Sequence, residues 1–409
     1  MKKIILCLFV VGIIFLGSIG ISSALKQNQS GEQPVQSTRG TYEIQWIKEY
    51  GSNPGSDARY QGPQPIGDSD NDGLNELLIS GRDCTVRVMK WNADQATYTQ
   101  VNALRPPLYP FIHCSAGGMA IGDVTNDGKN DVAVTWYSSV YHYYGFRYWM
   151  IGLNPYIFKN HGGSADCLIG DFDNDGKNEL ILSGGPEWGG NSPVAEITVF
   201  RWNGLFLKKV AEWKDPDVDG YVFMSGLGDV DQDGENEIVC AYANKVMVLN
   251  WDAQNETFIP TQIYKTYGSI SPFGIVCKDC DNDGNAEILL SYENPRISIF
   301  KWNGTAYPMQ FDITWSGGEP VIEGIDVGDT DNDGFNEVCA GAGVTHILQW
   351  NGTTYAEEAV LPTFGWMAVV CIGDCDNDGK NEINAGNVDV NFDAGEQFTE
   401  WVFKFNPGT

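Results

Sequence analysis

Short apolar runs alternate along the chain with polar, glycine-rich segments, and pairs of these runs flank a recurring acidic stretch. Ala120-Ile121-Gly122 and Val132-Ala133-Val134 bracket one copy, and Leu168-Ile169-Gly170 and Leu180-Ile181-Leu182 bracket the next. Leu77-Leu78-Ile79, Ile238-Val239-Cys240 and Ile288-Leu289-Leu290 follow three others. Runs this short, bounded by Gly, Asn and Asp, are strands and not helices. The stretch between them is typified by Asp171 to Glu179, and its copies begin at Asp68, Asp123, Asp171, Asp229, Asp279, Asp329 and Asp374, 45 to 58 residues apart. That period is one supersecondary unit. A second hairpin follows in most units around a Trp-Asn turn: Lys90-Trp91-Asn92, Arg201-Trp202-Asn203, Asn250-Trp251-Asp252, Lys301-Trp302-Asn303 and Gln349-Trp350-Asn351. Four strands per unit and seven units predict an all-β fold, a seven-bladed β-propeller of four-stranded blades.

The two ends of the pattern are incomplete in complementary ways. Gly40 to Ile47 matches the outer strand after each Trp-Asn turn but has no inner strands before it, whereas Phe398 to Phe405 is a third strand with no fourth after it. The expectation is that Thr41 to Ile47 pairs with the strand ending at Phe405, so that the N-terminal strand completes the C-terminal blade and hides the edges of an open stack.

The acidic stretch has the chemistry of a calcium loop. Carboxylates at positions 1, 3, 5 and 9 repel one another by roughly 4 kcal/mol per close pair at an effective dielectric of ~20, and a hard divalent cation with oxygen ligands turns that repulsion into a site. Position 6 is Gly in every copy, as a sharp turn with positive φ demands. The candidate metal ligands are Asp68, Asp70, Asp72 and Glu76; Asp123, Thr125, Asp127 and Asp131; Asp171, Asp173, Asp175 and Glu179; Asp229, Asp231, Asp233 and Glu237; Asp279, Asp281, Asp283 and Glu287; Asp329, Asp331, Asp333 and Glu337; and Asp374, Asp376, Asp378 and Glu382. The expectation is up to seven Ca2+, one per blade, with the second site weakest because Thr125 replaces an acid.

The pattern Ile-Gly-Asp-x-Asp-x-Asp-Gly-x-Asn-Glu, with Phe273-Gly274 and Phe364-Gly365 ahead of two loops, resembles the FG-GAP/VCBS repeats of integrin α-subunit propellers over roughly residues 41–409. The resemblance implies a propeller and calcium. It does not fix the ligand, since such propellers also serve as lectins and as appendages of polysaccharide-degrading enzymes.

Three segments divide the chain. Residues 1–24 carry Lys2-Lys3, an apolar run from Ile4 to Ile21 and the small residues Ser22 and Ala24, which fits a signal peptide cleaved before Leu25 or an uncleaved membrane anchor. Residues 25–40 read as a flexible linker and 41–409 as the propeller. Either reading of the first segment makes the remainder extracytoplasmic, secreted or at the cell surface. The net charge of −29 is largely metal-site chemistry, since the loops hold 27 of the 54 acidic residues. The absence of a basic stripe excludes nucleic acid as a partner. Cys240, Cys277, Cys339 and Cys371 occupy strand positions expected to be buried thiols. Asp215-Pro216-Asp217-Val218-Asp219-Gly220 imitates the loop without its final acid and is read as an acidic connection.

In blades 2, 3 and 7 the distance from the loop to the Trp position, aligned on Leu153, Trp202 and Phe405, is about eight residues longer than in the others. The expectation places the excess between the second and third strands, on the face opposite the acidic loops. The aromatic stretch from Trp136 to Trp149 then marks that face as a ligand site, with Tyr137, Tyr141, His142, Tyr143, Tyr144, Arg147 and Trp149, joined by Trp188 of blade 3. The repeated Trp residues themselves are expected to be blade packing. None of the four histidines stands in a catalytic signature, so no catalytic residue is assigned. The expected function is an interaction or adhesion module for protein or cell-surface partners. A glycan-binding lectin is the alternative, and a polysaccharide lyase or hydrolase built around His142 and Arg147 a lesser one.

Overall fold

A computed structural model of the chain describes residues 35–37, 39–51, 64–80, 85–106, 118–136, 139–152, 166–184, 194–215, 222–265, 272–292, 295–316, 322–391 and 395–408. Residues 1–24, read above as a signal or anchor, Tyr137 and Trp188 lie outside them. Among the described residues there is no helix, and hence none long and apolar enough to cross a membrane.

Seven antiparallel sheets form the seven blades, numbered here by their acidic loops from Asp68 to Asp374. Blade 4 shows the plan: Ser225–Gly228, the loop, Glu237–Tyr242, Lys245–Asp252 and Thr257–Lys265, each hydrogen-bonded to the next. The second strand of each blade is apolar at both faces, because neighbouring blades cover it on both sides; Leu77, Leu78 and Ile79 are fully buried, as are Ile288 and Leu290. The Gly before most loops is a packing requirement. A Cβ on Gly122 would lie 3.0 Å from Ile169 of the next blade, and one on Gly373 would lie 3.2 Å from Ile66, which carries the contact from blade 7 back to blade 1.

Blade 7 is assembled from both ends of the chain. Trp366–Gly373, Glu382–Asn391 and Gly395–Pro407 supply its first three strands. Gly40–Gly51 pairs with the last of these, Thr41 opposite Asn406 and Ile47 opposite Trp401. Tyr42 is buried against Phe405, ring centroids 5.0 Å apart. A fifth, two-residue strand, Val35–Gln36, adds to the outer edge from within the stretch read as linker.

Candidate metal centres

Every loop folds in the same way. The position-1 carboxylate takes two backbone N–H groups, as when Asp72 N donates to Asp68 Oδ1 (2.9 Å) and Gly73 N to Asp68 Oδ2 (2.9 Å); Asp229, Asp279, Asp329 and Asp374 repeat this within about 0.2 Å. The position-9 acid is held from the other side by the N–H of position 2, with Val230 N donating to Glu237 Oε2 at 3.0 Å. The glycine of each loop has φ between 84° and 93°, where an L side chain is strained. Carboxylate oxygens of Asp68, Asp70 and Glu76 thereby fall within 4.8 Å of one another, and so do those of Asp171, Asp173 and Glu179, of Asp229, Asp231 and Glu237, of Asp279, Asp281 and Glu287, and of Asp329, Asp331 and Asp333. Several of these oxygens are orphaned: Asp173 Oδ1, Asp231 Oδ1 and Asp281 Oδ1 are fully buried without a hydrogen-bond partner. A carboxylate oxygen in that state carries a desolvation penalty that a cation relieves. Burial pushes Glu237 up to about 8, with the carboxylates of Asp231 and Asp233 adding to it, and Asp70 up to about 6. The donor set is all oxygen, which suits a hard cation such as calcium.

The third strand brings a further side chain into each cage, opposite position 9 in the sheet. In blade 5 this is Lys301, whose Nζ lies 2.5 Å from Asp281, 2.7 Å from Asp283 and 2.8 Å from Glu287. Lys90 does the same in blade 1, 2.5 Å from Asp72 and 2.9 Å from Glu76, and Arg201 in blade 3, with Nε donating to Glu179 at 2.6 Å. Lys404 of blade 7 reaches Asp376, Asp378 and Glu382. Blades 2, 4 and 6 have His142, Asn250 and Gln349 at this position. His142 Nδ1 is 2.7 Å from Asp131 Oδ1, so this imidazole belongs to the weak loop of blade 2, where Thr125 N also donates to Asp131. In blade 6 a different cation enters, Arg39 from beside the outer edge of blade 7, paired with Asp331 and Asp333.

Two further loop positions join the blades. Asn71 at position 4 donates to the carbonyl of Asn130 at position 8 of the next blade (3.0 Å) and accepts from its N–H (2.7 Å), while the Asn130 side chain donates to the Asp68 carbonyl (2.8 Å). The same latch joins Asn126 to Asn178, Asn174 to Asn236, Asn282 to Asn336, Asn332 to Asn381 and Asn377 to Asn75. Position 2 meets an outer-strand aromatic of the next blade. Thr330 bonds Tyr42 at 3.0 Å, Cys280 Sγ lies 3.0 Å from the Tyr355 hydroxyl, and Phe172 packs 5.8 Å from Phe258. Cys280 and Cys375 are thus buried packing groups within loops. The signal for both roles is in the repeat itself, as Asn at positions 4 and 8 of six of the seven loops and a varied, mostly small residue at position 2, where only the acids were given a task.

The aromatic stretch of blade 2 is not a loop on the opposite face. Ser139–Tyr143 is the third strand and Tyr148–Gly152 the fourth, joined at Tyr144–Arg147. The Trp position of this blade is therefore Tyr143, whose ring sits 5.0 Å from Tyr148 as Trp91 sits 5.0 Å from Tyr98. Alignment on Leu153 failed because Leu153 follows the fourth strand. The hairpin tip lies on the same end as the acidic loops, since His142, two residues before it, touches Asp131. Tyr141 is buried, its hydroxyl donating to the Arg105 carbonyl at 2.7 Å. Tyr144, Phe146 and Trp149 are exposed, and the Arg147 guanidinium stacks 3.4 Å above the Trp149 ring. The Trp residues of blades 1, 3, 4, 5 and 6 are half-buried; Trp251, for example, packs against Phe172 and Phe258. Asp215 is buried, bonded to Tyr242 and Lys245, in keeping with an acidic connection.

The segment from the blade 4 loop to the second strand of blade 5, residues 229–290, matches the FG-GAP-like repeat family. These residues are similar to an FG-GAP-like repeat. The same order of loop, glycine and strand recurs in the other blades. No curated protein matches the chain by sequence. Among solved structures it is similar to the Dos1 propeller, at 9% identity over 80% of this chain and 75% of that one, TM-score 0.51. It is also similar to BBS1N in complex with ARL6DN, at 11% identity over 90% and 98% of the two chains, TM-score 0.57, in crystals soaked with mercury. The crystals soaked with lead give 12%, 89%, 98% and 0.54. At these identities the likeness is one of fold.

Proposed function

We propose that this chain is an extracellular, calcium-binding β-propeller that acts as an interaction or adhesion module, and that a protein or cell-surface partner docks on the blade 2 hairpin. The observation that carries the docking site is a solvent-facing aromatic cluster on a rigid turn: Phe146 is 69% exposed and Trp149 43%, with Arg147 between them. Large aromatics and Arg held by a scaffold are the side chains on which binding energy concentrates. Leu205 and Phe206, on the corresponding turn of blade 3, are also exposed. The extracellular setting rests on the leader-like residues 1–24, and calcium on the cage chemistry of the loops. The lectin alternative is weakened by Arg147, which covers one face of Trp149, a surface a sugar ring would stack on. His142 is only 4% exposed, which gives a polysaccharide little access to it as a lyase base.

The test is a parallel screen of the chain on a glycan array and on cell-surface protein binding, repeated with Phe146→Ala and Trp149→Ala. The reading expects a blank array, retained protein binding that falls at least tenfold in both variants, and unchanged melting temperatures. Glycan hits that vanish with Trp149→Ala would replace it with the lectin, and new reducing ends on a polysaccharide would replace it with an enzyme.

A further inference from the structure

The third-strand residue opposite the position-9 acid alternates around the ring. It is Lys90, Arg201, Lys301 and Lys404 in blades 1, 3, 5 and 7, and the neutral or weakly basic His142, Asn250 and Gln349 in blades 2, 4 and 6. A basic side chain in this position sits within the carboxylate cage. Lys301 bridges three carboxylates within 2.8 Å with its side chain 13% exposed, and its ammonium takes the central place that a divalent ion would need. Binding an ion there requires expelling a paired cation to solvent or holding it against a double positive charge at short range. Both lower affinity.

The other three cages differ among themselves. Blade 2 has one carboxylate fewer, with Thr125 in place of an acid, and His142 is bonded to Asp131. Blade 6 receives Arg39 on Asp331 and Asp333. Blade 4 alone keeps Asp229, Asp231, Asp233 and Glu237 with no ion pair among the described residues. The amide of Asn250 faces them, at 3.4 Å from Asp231 and 3.5 Å from Glu237, with the neutral Tyr307 hydroxyl nearby, and Asp231 Oδ1 is fully buried with no hydrogen-bond partner.

We propose that the seven loops are unequal sites: blade 4 is the high-affinity divalent-cation site, blades 1, 3, 5 and 7 carry a built-in cation that does the structural task of a metal, and blades 2 and 6 are weak sites. The proposal rests on the reading of the loops as calcium sites and divides them. Each of the four built-in cations closes its own hairpin by joining the loop to the third strand.

The experiment is a calcium titration of the full chain by calorimetry, with bound ions counted by elemental analysis after gel filtration, for the wild type, Asn250→Lys and Lys301→Gln. The expected wild-type result is one tight ion per chain and a second class at least tenfold weaker. Asn250→Lys copies the arrangement of blade 5 and removes the tight ion while the circular dichroism spectrum stays that of the wild type. Lys301→Gln adds a second tight ion, and its melting temperature rises further with calcium than that of the wild type. Seven ions of one affinity, or a tight class that survives Asn250→Lys, would overturn the division and leave the calcium reading standing. No bound ion at millimolar calcium would overturn both. Should Asn250→Lys not fold, the gain of an ion in Lys301→Gln decides the matter alone.

Discussion

At the residue scale, the asparagine at loop position 4 does two things that few other side chains do together. Its backbone is left-handed, with φ from 57° to 64° in the six blades that have it, and its amide reproduces a peptide group that pairs with the next blade. Asn tolerates this φ better than other residues with a Cβ. Asn126→Ala loses both cross-blade bonds and leaves Ala in a strained conformation, so it should cost about 2 to 3 kcal/mol in urea unfolding. Glu400 presents the opposite case, a carboxylate that the fold tolerates badly. It is fully enclosed and burial pushes it up to about 8, against which the amides of Asn384 and Gln64 act. A folded-state value above the unfolded one means that the native chain holds the proton more tightly. Stability attributable to this group is present at low pH and is lost as pH rises from the unfolded value through about 8. Glu400→Gln should therefore gain on the order of 2 kcal/mol over the wild type at pH 9 and nothing at pH 4, measured as the difference between their denaturation midpoints.

At the element scale, the latch between adjacent loops is missing at one interface. Blade 4 has Gln232 at position 4 and blade 5 has Ala286 at position 8, the two residues that would have been partners. Gln232 keeps the left-handed backbone, φ 64°, but is one methylene too long to copy the Asn bonds. Gln232→Asn combined with Ala286→Asn should restore the latch and stabilise the ring by about 1 to 2 kcal/mol, with a favourable coupling in a double-mutant cycle. Much of the blade was legible in the sequence because the acidic loop is rigidly spaced: the fixed places of its acids and Gly set the first two strands in every unit. The outer hairpin was less so, because it was aligned on Trp, and Tyr143 fills that place in blade 2. The built-in cations stood in plain view as the residue before the Trp position, from Lys90-Trp91 to Lys404-Phe405. Their role was hidden because the separation from the position-9 acid runs from 14 residues in blades 1 and 5 to 22 in blades 3 and 7, and only strand pairing brings the two together. The aromatic stretch of blade 2 was put on the wrong end for the same reason.

At the scale of the whole molecule, the charge of −29 is arranged as a circle of acidic loops on one end of the ring. Ions bound there relieve both the local repulsion and the net self-repulsion of the chain. Chelation with EGTA should lower the melting temperature, and calcium at about a hundred times its dissociation constant for the tight site should restore about 2.7 kcal/mol, followed by differential scanning calorimetry. A melting temperature indifferent to both would leave the circle of acids to the built-in cations alone. The closure of blade 7 sets a different kind of limit, one of timing. The twelve-residue strand Gly40–Gly51 is made early and its partner, Gly395–Pro407, last. At ~5 to 20 residues per second, the ribosome leaves the first strand waiting for roughly 20 to 70 s with an unsatisfied backbone edge. Until then the nascent chain is an open arc of blades with a sticky strand at its leading end, and two such chains on one message can exchange those strands as readily as each can close on itself.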